Sequence, residues 1–216
     1  MRRFVLLVAL AALAIVPVTA VQNQPAVEPG FTSLFNGTDF TGWRVANPDA
    51  FSIRDGAIVA NGTPGHAYYD GPVENHAFRN FELKVDVMTE PGSNGGIFIM
   101  TEYQDSGWPA KGFEVQVNNT YERDPIRSGS LYQIVNVTEP PAKDNEWFTQ
   151  TITVQGEMVM VQVGDTPTVH WMQPADWDGG GENTPDRRIR TGTIALQAHD
   201  PGSTVHYRNI RIRTLD

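Results

Sequence analysis

Apolar and polar residues alternate along short segments throughout this chain, and this alternation restricts the possible fold more than any other feature. In residues 81–87, Phe, Leu, Val and Val alternate with Glu, Lys and Asp. Successive side chains of a strand point to opposite faces, so the pattern predicts a strand with one buried and one solvated face. Helical periodicity is nearly absent, and Gly, Pro, Asn and Asp separate the segments. The sequence therefore predicts an all-β fold, an antiparallel two-sheet jelly-roll sandwich.

The predicted strands are short and closely spaced. Two hairpins are expected, one at 51–60 and one at 149–163, each with a Gly-containing turn. A connection at 174–190, rich in Gly, Asp and Pro, is long enough to suggest a functional or mobile loop. The remaining predicted strands are 81–87, 96–100, 113–118, 131–136, 169–172, 193–199 and 205–213.

The N-terminal residues have the composition of a secretory signal peptide. Arg2 and Arg3 precede an apolar run that ends in a small-x-small sequence at 18–20. That run is shorter than the roughly 20 residues of a spanning helix, although a retained N-terminal anchor is the alternative. We predict a signal peptide at 1–20, a polar linker at 21–30 and a single domain at 31–216. A periplasmic or secreted protein without a membrane span after cleavage is expected.

Charge and cysteine content exclude several classes of protein. The net charge is −9, and removing residues 1–20 would make it more negative, which argues against a nucleic-acid partner. There is no cysteine, and therefore no disulfide framework and no thiol nucleophile. No serine stands in a nucleophile-elbow motif, and the histidines lack the spacing of a His-Glu-x-x-His metal site.

The segment Gly112–Asn118 carries an unusual polar face. Its apolar residues alternate with Glu114, Gln116 and Asn118, which must share the opposite face of the strand. One carboxylate and two amides would suit a ligand rich in hydroxyl groups, which suggests a sugar site. A solvated strand face is the alternative interpretation.

The segment Ile194–His199 repeats this arrangement, because Gln197 and His199 share the face opposite its larger apolar residues. If the two polar rows lie on one concave sheet, Glu114, Gln116, Gln197 and His199 converge. Taken alone, His199 could equally be a strand-end residue bonded to a loop.

Three further residues are candidates for substrate contact. Asn94 begins an Asn-Gly-Gly sequence in which glycine permits close approach of a ligand or a facing strand, although a simple turn is as consistent. Trp108 and Tyr132 offer flat faces for sugar rings, but aromatic residues of sandwiches are more often in the core. An ordinary glycosidase needs two carboxylates, and the strand has Glu-x-Gln-x-Asn instead.

A series of short motifs, in order, resembles the 3-keto-disaccharide hydrolase family. They span residues 31–215, essentially the whole predicted domain. The motifs are Leu34-Phe35-Asn36-Gly37, Gly42-Trp43, Asn94-Gly95-Gly96-Ile97-Phe98, Gly112-Phe113-Glu114-Val115-Gln116, Gly129-Ser130-Leu131-Tyr132, Glu146-Trp147, Leu196-Gln197-Ala198-His199 and Tyr207-Arg208-Asn209-Ile210-Arg211-Ile212.

The resemblance implies a concanavalin A-like lectin or glucanase fold and cleavage of glycosides oxidised to a ketone at carbon 3. Such a ketone acidifies the hydrogen on carbon 2, so elimination followed by hydration would give net hydrolysis. Glu114 and His199 would be the acid and base, in either order. Gln116 and Gln197 would orient hydroxyl groups, and Asn94, Tyr132, Asn118 and Trp108 would contact substrate. A divalent metal ion, with Glu114 and His199 as possible ligands, could polarise the ketone.

The sequence departs from the family pattern at several positions. Gly95 stands where a serine is common, Met100 where an arginine follows the Ile-Phe run, and Phe148 where an asparagine follows Glu-Trp. Loss of that arginine could remove a contact to the substrate or its enolate. A carbohydrate-binding module without catalysis is therefore the alternative function, and an ordinary two-carboxylate glycosidase is a third.

Overall fold

The computed structural model describes residues 27–180 and 186–216. The predicted signal peptide lies outside the described residues, as do positions 21–26 of the predicted linker. In the part of the chain that is described, no helix is both long enough and apolar enough to span a membrane.

Two antiparallel sheets account for nearly all regular structure in the described residues, as the alternation predicts. The strands are β1 (Thr32–Ser33), β2 (Trp43–Val45), β3 (Phe51–Arg54), β4 (Ala57–Ala60), β5 (Gly65–Tyr69), β6 (Phe81–Thr89), β7 (Asn94–Thr101), β8 (Phe113–Asn118), β9 (Phe148–Gln155), β10 (Met158–Val163), β11 (Thr166–Met172), β12 (Thr193–Ala198) and β13 (Val205–Thr214). One sheet has the order β11-β10-β9-β6-β13-β4-β3, with β1 also paired to β13, and the other has the order β2-β5-β12-β7-β8. Short 3₁₀ turns occur at Pro48–Ala50 and Val73–His76.

The core lies between the two sheets and is built from the apolar member of each alternating pair. On β8, Phe113, Val115 and Val117 are at most 1% exposed and belong to one continuous cluster with residues of both sheets. Full burial of each such side chain contributes about 1.5–3 kcal/mol. Because the alternation has period two, the same burial turns the polar members of β8 to the outer face of the five-stranded sheet.

The expectation of a strand at 131–136 is wrong. Gln133 adopts a left-handed conformation with φ of 59°, and Asn136 caps it by accepting a hydrogen bond from its backbone N–H at 2.9 Å. Leu131 forms a single bridge with Val115 of β8 and then bonds to Val135 within a tight reversal, so no continuous strand develops. The reversal buries Leu131 in the core and holds Tyr132 beside β8, where its N–H donates to the carbonyl of Glu114 at 2.9 Å.

Candidate active site

Three neighbouring strands of the five-stranded sheet, β12, β7 and β8, form the floor of a cleft of about 310 Å³. Gln116 on β8 pairs with Gly96 on β7, and Gln197 on β12 pairs with His66 on β5. Glu114 lies two residues before Gln116 on β8 and pairs with Phe98 on β7. The polar faces of β8 and β12 therefore meet on one sheet, with a glycine between them.

The glycine makes room for the central carboxylate. A Cβ atom at Gly96 would lie 3.0 Å from Cγ and 3.1 Å from Cδ of Glu114, so the Glu114 side chain folds across β7 where a larger residue would block it. On the far side of β7, Gln197 Nε2 donates a hydrogen bond to Glu114 Oε1 at 3.1 Å. The absence of a side chain at 96 thus permits the contact that joins the two polar rows.

Glu114 has a strongly perturbed proton affinity. The pKa of Glu114 is raised from 4.5 to about 8, chiefly because burial disfavours the charged carboxylate. The nearby Asp124 carboxylate contributes to the rise, whereas the Gln197 hydrogen bond and Arg187 oppose it. A carboxylate with this pKa takes up a proton far more readily than an ordinary glutamate. Such a group is suited to general-base or general-acid chemistry near neutral pH.

Three buried amides around Glu114 have carbonyl oxygens without hydrogen-bond partners among the described residues. Asn94, Gln116 and Gln197 are at most 2% exposed, and Oδ1 or Oε1 of each is unpaired. Buried polar atoms in native proteins nearly always have a partner. Unpaired acceptors lining a cleft therefore indicate a ligand that supplies O–H or N–H donors.

His199 follows the last residue of β12 and is held by a neighbouring carboxylate. Its Nδ1 lies 2.7 Å from Oδ2 of Asp200, which also accepts a hydrogen bond from the Ser203 hydroxyl at 3.0 Å. Burial alone would raise the pKa of Asp200, but the hydrogen bonds from His199 and Ser203 outweigh it and lower the pKa. An ionised Asp200 accepts a hydrogen bond from the Nδ1–H group, which leaves Nε2 of His199 as the nitrogen available for chemistry.

Aromatic rings flank His199 and complete one wall of the cleft. Trp108 is 50% exposed, and its ring centroid lies 5.5 Å from that of His199. Tyr121 packs edge-on at 5.4 Å on another side. Trp108 therefore presents an accessible flat surface directly beside the imidazole, as its candidacy for substrate contact requires.

Two charged residues that line the cleft were not among the site residues predicted from the sequence. Asp124 accepts hydrogen bonds from Tyr132 Oη at 3.0 Å and from Gln116 Nε2 at 3.4 Å. Arg187 lines the same cleft and donates to Gln133 Oε1 at 2.9 Å. Arg187 belongs to the long 174–190 connection, so the length of that connection was the one signal in the sequence that pointed to it.

Asn118 does not line the cleft, unlike the other sequence-predicted site residues. It is fully buried, and its Nδ2 donates to the carbonyls of Asp124 and Ile126 at 3.0 and 2.9 Å. Its Oδ1 accepts from Tyr121 N at 2.8 Å and from Arg127 Nη1 at 3.0 Å. Asn118 thus shapes the segment that carries Tyr121 and Asp124 into the cleft wall.

The departures from the family pattern lie in or against the core. A Cβ at Gly95 would meet the buried Tyr207 hydroxyl at 2.8 Å, so Tyr207 occupies the space of a side chain at 95. Met100 is fully buried with φ of 56°, and Phe148 packs against the core at the start of β9. Arg187, on the 174–190 connection, supplies a guanidinium close enough to Glu114 to lower the pKa of that carboxyl.

A metal site at Glu114 and His199 is not supported by the arrangement of donors. Within residues 27–180 and 186–216, no group of three His, Asp or Glu side chains is placed to hold a metal ion. Glu114 Oε1 accepts a hydrogen bond from the Gln197 amide, and His199 Nδ1 is in contact with Asp200.

Comparison with known proteins agrees with the fold. A 3-keto-disaccharide hydrolase of Bacteroides thetaiotaomicron is 26% identical over an alignment of 242 positions, which covers 89% of this chain and 81% of that protein. A crystal structure of a Parabacteroides distasonis protein named as a glycosyl hydrolase superposes with a TM-score of 0.72 at 24% identity, covering 87% of this chain and 94% of that one. A non-specific endo-β-1,3(4)-glucanase superposes with a TM-score of 0.52 at 13% identity, covering 88% and 93%.

These likenesses confirm a concanavalin A-like sandwich of the lectin and glucanase type. The model of the 3-keto-alpha-glucoside-1,2-lyase-like domain matches residues 30–213, which is most of the chain. The protein therefore belongs to the 3-keto-alpha-glucoside-1,2-lyase-like domain family.

Proposed function

We propose that this protein is an exported enzyme that cleaves 3-keto-glycosides by base-catalysed elimination at carbon 2, followed by hydration. Family membership supports the substrate class. The single observation that carries the mechanism is Glu114, a desolvated carboxylate with a raised pKa on the floor of a cleft lined by unpaired amide carbonyls.

Glu114 is assigned as the base. It takes the proton from carbon 2, and the C–H electrons form an enolate with the ketone at carbon 3. Re-forming the ketone expels the glycosidic oxygen from carbon 1 and leaves a carbon 1–carbon 2 double bond, to which water then adds. A carboxylate with a pKa of about 8 is a stronger base than one at 4.5, which suits removal of a weakly acidic C–H proton.

His199 is assigned as the acid that protonates the departing glycosidic oxygen. Its Nδ1 contact with Asp200 fixes the ring and orients Nε2. Arg187 brings a guanidinium into the lining of the cleft and would stabilise the enolate oxygen. Tyr132 donates its hydroxyl to Asp124, and its pKa is raised to about 12 by burial and by that hydrogen bond, so it stays protonated as a wall residue.

The engagement of Asp124 disfavours an ordinary two-carboxylate glycosidase. Its Oδ1 accepts the Ile126 N–H at 2.8 Å, and its Oδ2 accepts from Tyr132 and Gln116. A nucleophile or second acid needs a free oxygen directed at the sugar. Asp124 instead fixes the groups around the cleft.

Incubation with a 3-keto-glucoside tests the proposal directly. We expect release of the aglycone with a transient enone absorbance, and loss of both in a Glu114→Gln variant that remains folded. Saturable sugar binding without turnover would instead identify a carbohydrate-binding module. Turnover of unoxidised oligosaccharides at comparable rates would identify an ordinary glycosidase.

Export is a separate part of the proposal and rests on residues 1–20, with their basic start and apolar run. N-terminal sequencing of the protein recovered outside the cytoplasm should begin after Ala20. Recovery of the intact N-terminus from the membrane fraction would identify a retained anchor.

A further inference from the structure

A second cavity of about 240 Å³ opens on the same sheet beside the cleft. Its polar lining consists of Asn47, His66, Gln104, Asp105 and Ser106. His66 stands in register with Gln197, which lines the first cleft. The cavity therefore continues the row of polar residues across the sheet from β12 to β5.

Trp108 connects the two spaces. Its ring centroid lies 5.5 Å from that of His199 on the catalytic side and 5.9 Å from that of His66. Trp108 lines the first cleft, while residues 104–107 of the same loop line the second cavity. A ligand that extends past His199 and across Trp108 reaches this second space.

The loop that carries Trp108 is held in place by its own side chains. Gln104 Nε2 donates to the carbonyls of Ser106 and Trp108 at 2.8 and 2.7 Å, and Gln104 Oε1 accepts the Ala110 N–H at 2.9 Å. A surface loop with this many internal hydrogen bonds presents a fixed wall, which lowers the entropic cost of binding.

His66 supplies the observation that points to a ligand. It is 2% exposed, it lines the second cavity, and its Nε2 has no hydrogen-bond partner among the described residues. Its ring packs edge-on against Phe98 at 5.1 Å. Burial lowers its pKa to about 4, so it is a neutral hydrogen-bonding group. An unpaired buried nitrogen of this kind calls for a neutral polar partner.

The charge of the cavity narrows the chemistry of that partner. Asp105 is the charged residue among the described lining residues, and its largely exposed carboxylate lies 4.0 Å from Nη2 of Arg44, which is outside the lining. Because the described lining itself holds no Lys or Arg side chain, it offers no cation to bind a phosphate or carboxylate ligand. Asp105, Asn47 and Ser106 are suited instead to a neutral molecule carrying several hydroxyl groups.

We propose that the second cavity is a subsite for the leaving group of the glycoside, and that it takes a second sugar ring or another neutral polyhydroxylated group. This subsite rests on the proposed function, because His199 as the acid places the glycosidic oxygen next to Trp108. The leaving group then crosses the indole and fills the cavity beyond it, with His66 bonded to one of its hydroxyls.

The test compares a 3-keto-disaccharide with the matching methyl 3-keto-glucoside. Binding of both is measured by calorimetry in the Glu114→Gln background, and kcat/KM is measured in the otherwise unaltered enzyme. We expect the disaccharide to bind about tenfold more tightly, which one or two hydrogen bonds and a stacked face can supply. Ser106→Trp fills the cavity from an exposed loop position and should bring the two affinities to the same value.

Asp165→Trp places the same ring at the exposed β10–β11 hairpin on the other sheet and should leave the preference unchanged. His66→Phe keeps the ring packing but removes the nitrogens, and should reduce the disaccharide preference several-fold. Equal affinity for both glycosides, or a preference that survives Ser106→Trp, would overturn the subsite. Failure of the proposed function would appear differently, as absence of turnover of both compounds while the binding preference and its loss in Ser106→Trp persist.

Discussion

The side chain of Glu114 occupies the space that a side chain at residue 96 would fill, and Gly96 leaves that space open. The carboxylate folds across β7 at residue 96, where a Cβ would come within 3.0 Å of Glu114 Cγ, and it meets Gln197 on the other side. The position of the proposed base therefore depends on a residue that contributes no functional group.

Gly96→Ala should displace the Glu114 carboxylate without unfolding the sheet, because residue 96 has ordinary strand geometry and does not need a positive φ. Misplacement of a reacting group by about 1 Å costs roughly 10²-fold in rate. We expect kcat for a 3-keto-glucoside to fall by that order while the far-ultraviolet circular dichroism spectrum is retained. A variant with unchanged kcat would show that the carboxylate is not held in this position during catalysis.

The rate should depend on pH through the pKa of Glu114. A base must be deprotonated, so kcat/KM should show a limb that rises with pH and is centred near 8, while the requirement for a protonated general acid adds an opposing limb that falls with pH. The measurement is a pH profile of kcat/KM with a 3-keto-glucoside. A rise centred near 4.5 would contradict the effect of burial on this carboxyl group.

The free energy of unfolding should also depend on the ionisation of Glu114, and this contribution should fall as the pH rises. A carboxyl whose folded pKa is raised contributes stability below its unfolded pKa near 4.5, and that contribution is lost as the pH rises through about 8. Glu114→Gln cannot ionise, so its free energy of unfolding should lack this fall. Denaturant melts of both proteins at several pH values check the prediction, and parallel pH dependences would refute it.

Asp200→Asn should impair catalysis, because Nδ1 of His199 loses the carboxylate that orients the ring and selects its tautomer. Loss of an oriented acid lowers kcat by roughly 10²- to 10⁴-fold. KM should change much less, because Asp200 is not among the residues that line the cleft. Asp70→Asn is the matched control, since Asp70 faces His76 at 3.6 Å outside the cleft, and it should leave kcat unaltered. A similar loss in both variants would point to general destabilisation.

Glu28→Gln should destabilise the outer face of the eight-stranded sheet. Glu28 forms a paired contact with Arg211, at 2.5 Å to Nε and 3.0 Å to Nη2, and Arg211 is 6% exposed. Because the Glu28 side chain is 42% exposed, solvent screening reduces the expected loss to about 1 kcal/mol.

The hydrogen bond from Arg211 lowers the pKa of Glu28 to about 2, so this stabilisation is present above about pH 4.5 and disappears as the pH falls toward 2. Unfolding midpoints at pH 7 and pH 3 measure it, with the exposed Glu139→Gln as control. Equal midpoints for Glu28→Gln and wild type at pH 7 would exclude a role for the pair in stability.

Sequence alternation predicted the strands that bury one face, and the floor of the site with them. Glu114, Gln116, Gln197 and His199 converge because period-two burial of their neighbours leaves the polar members no other face. The β5 strand was missed because all five of its residues are buried, so it shows no alternation.

Apolar–polar alternation could not predict the positions of residues on irregular segments. The 131–136 segment has strand-like composition, but the side chain of Asn136 stabilises a reversal at Gln133. Asp124 and Arg187 enter the cleft through tertiary hydrogen bonds that no local period encodes. Asn118 was correctly placed on the polar face, yet the chain that folds back over it determines what it contacts.

The segment that folds back onto Asn118 has a consequence for the length of the substrate. Hydrogen bonds to Asn118 and within the segment hold residues 121–127 over the end of β8, where Asp124 joins the lining of the cleft. For the proposed substrate we therefore expect a terminal sugar ring over Glu114, because an internal unit of a long polysaccharide would have to cross the wall that Asn118 stabilises.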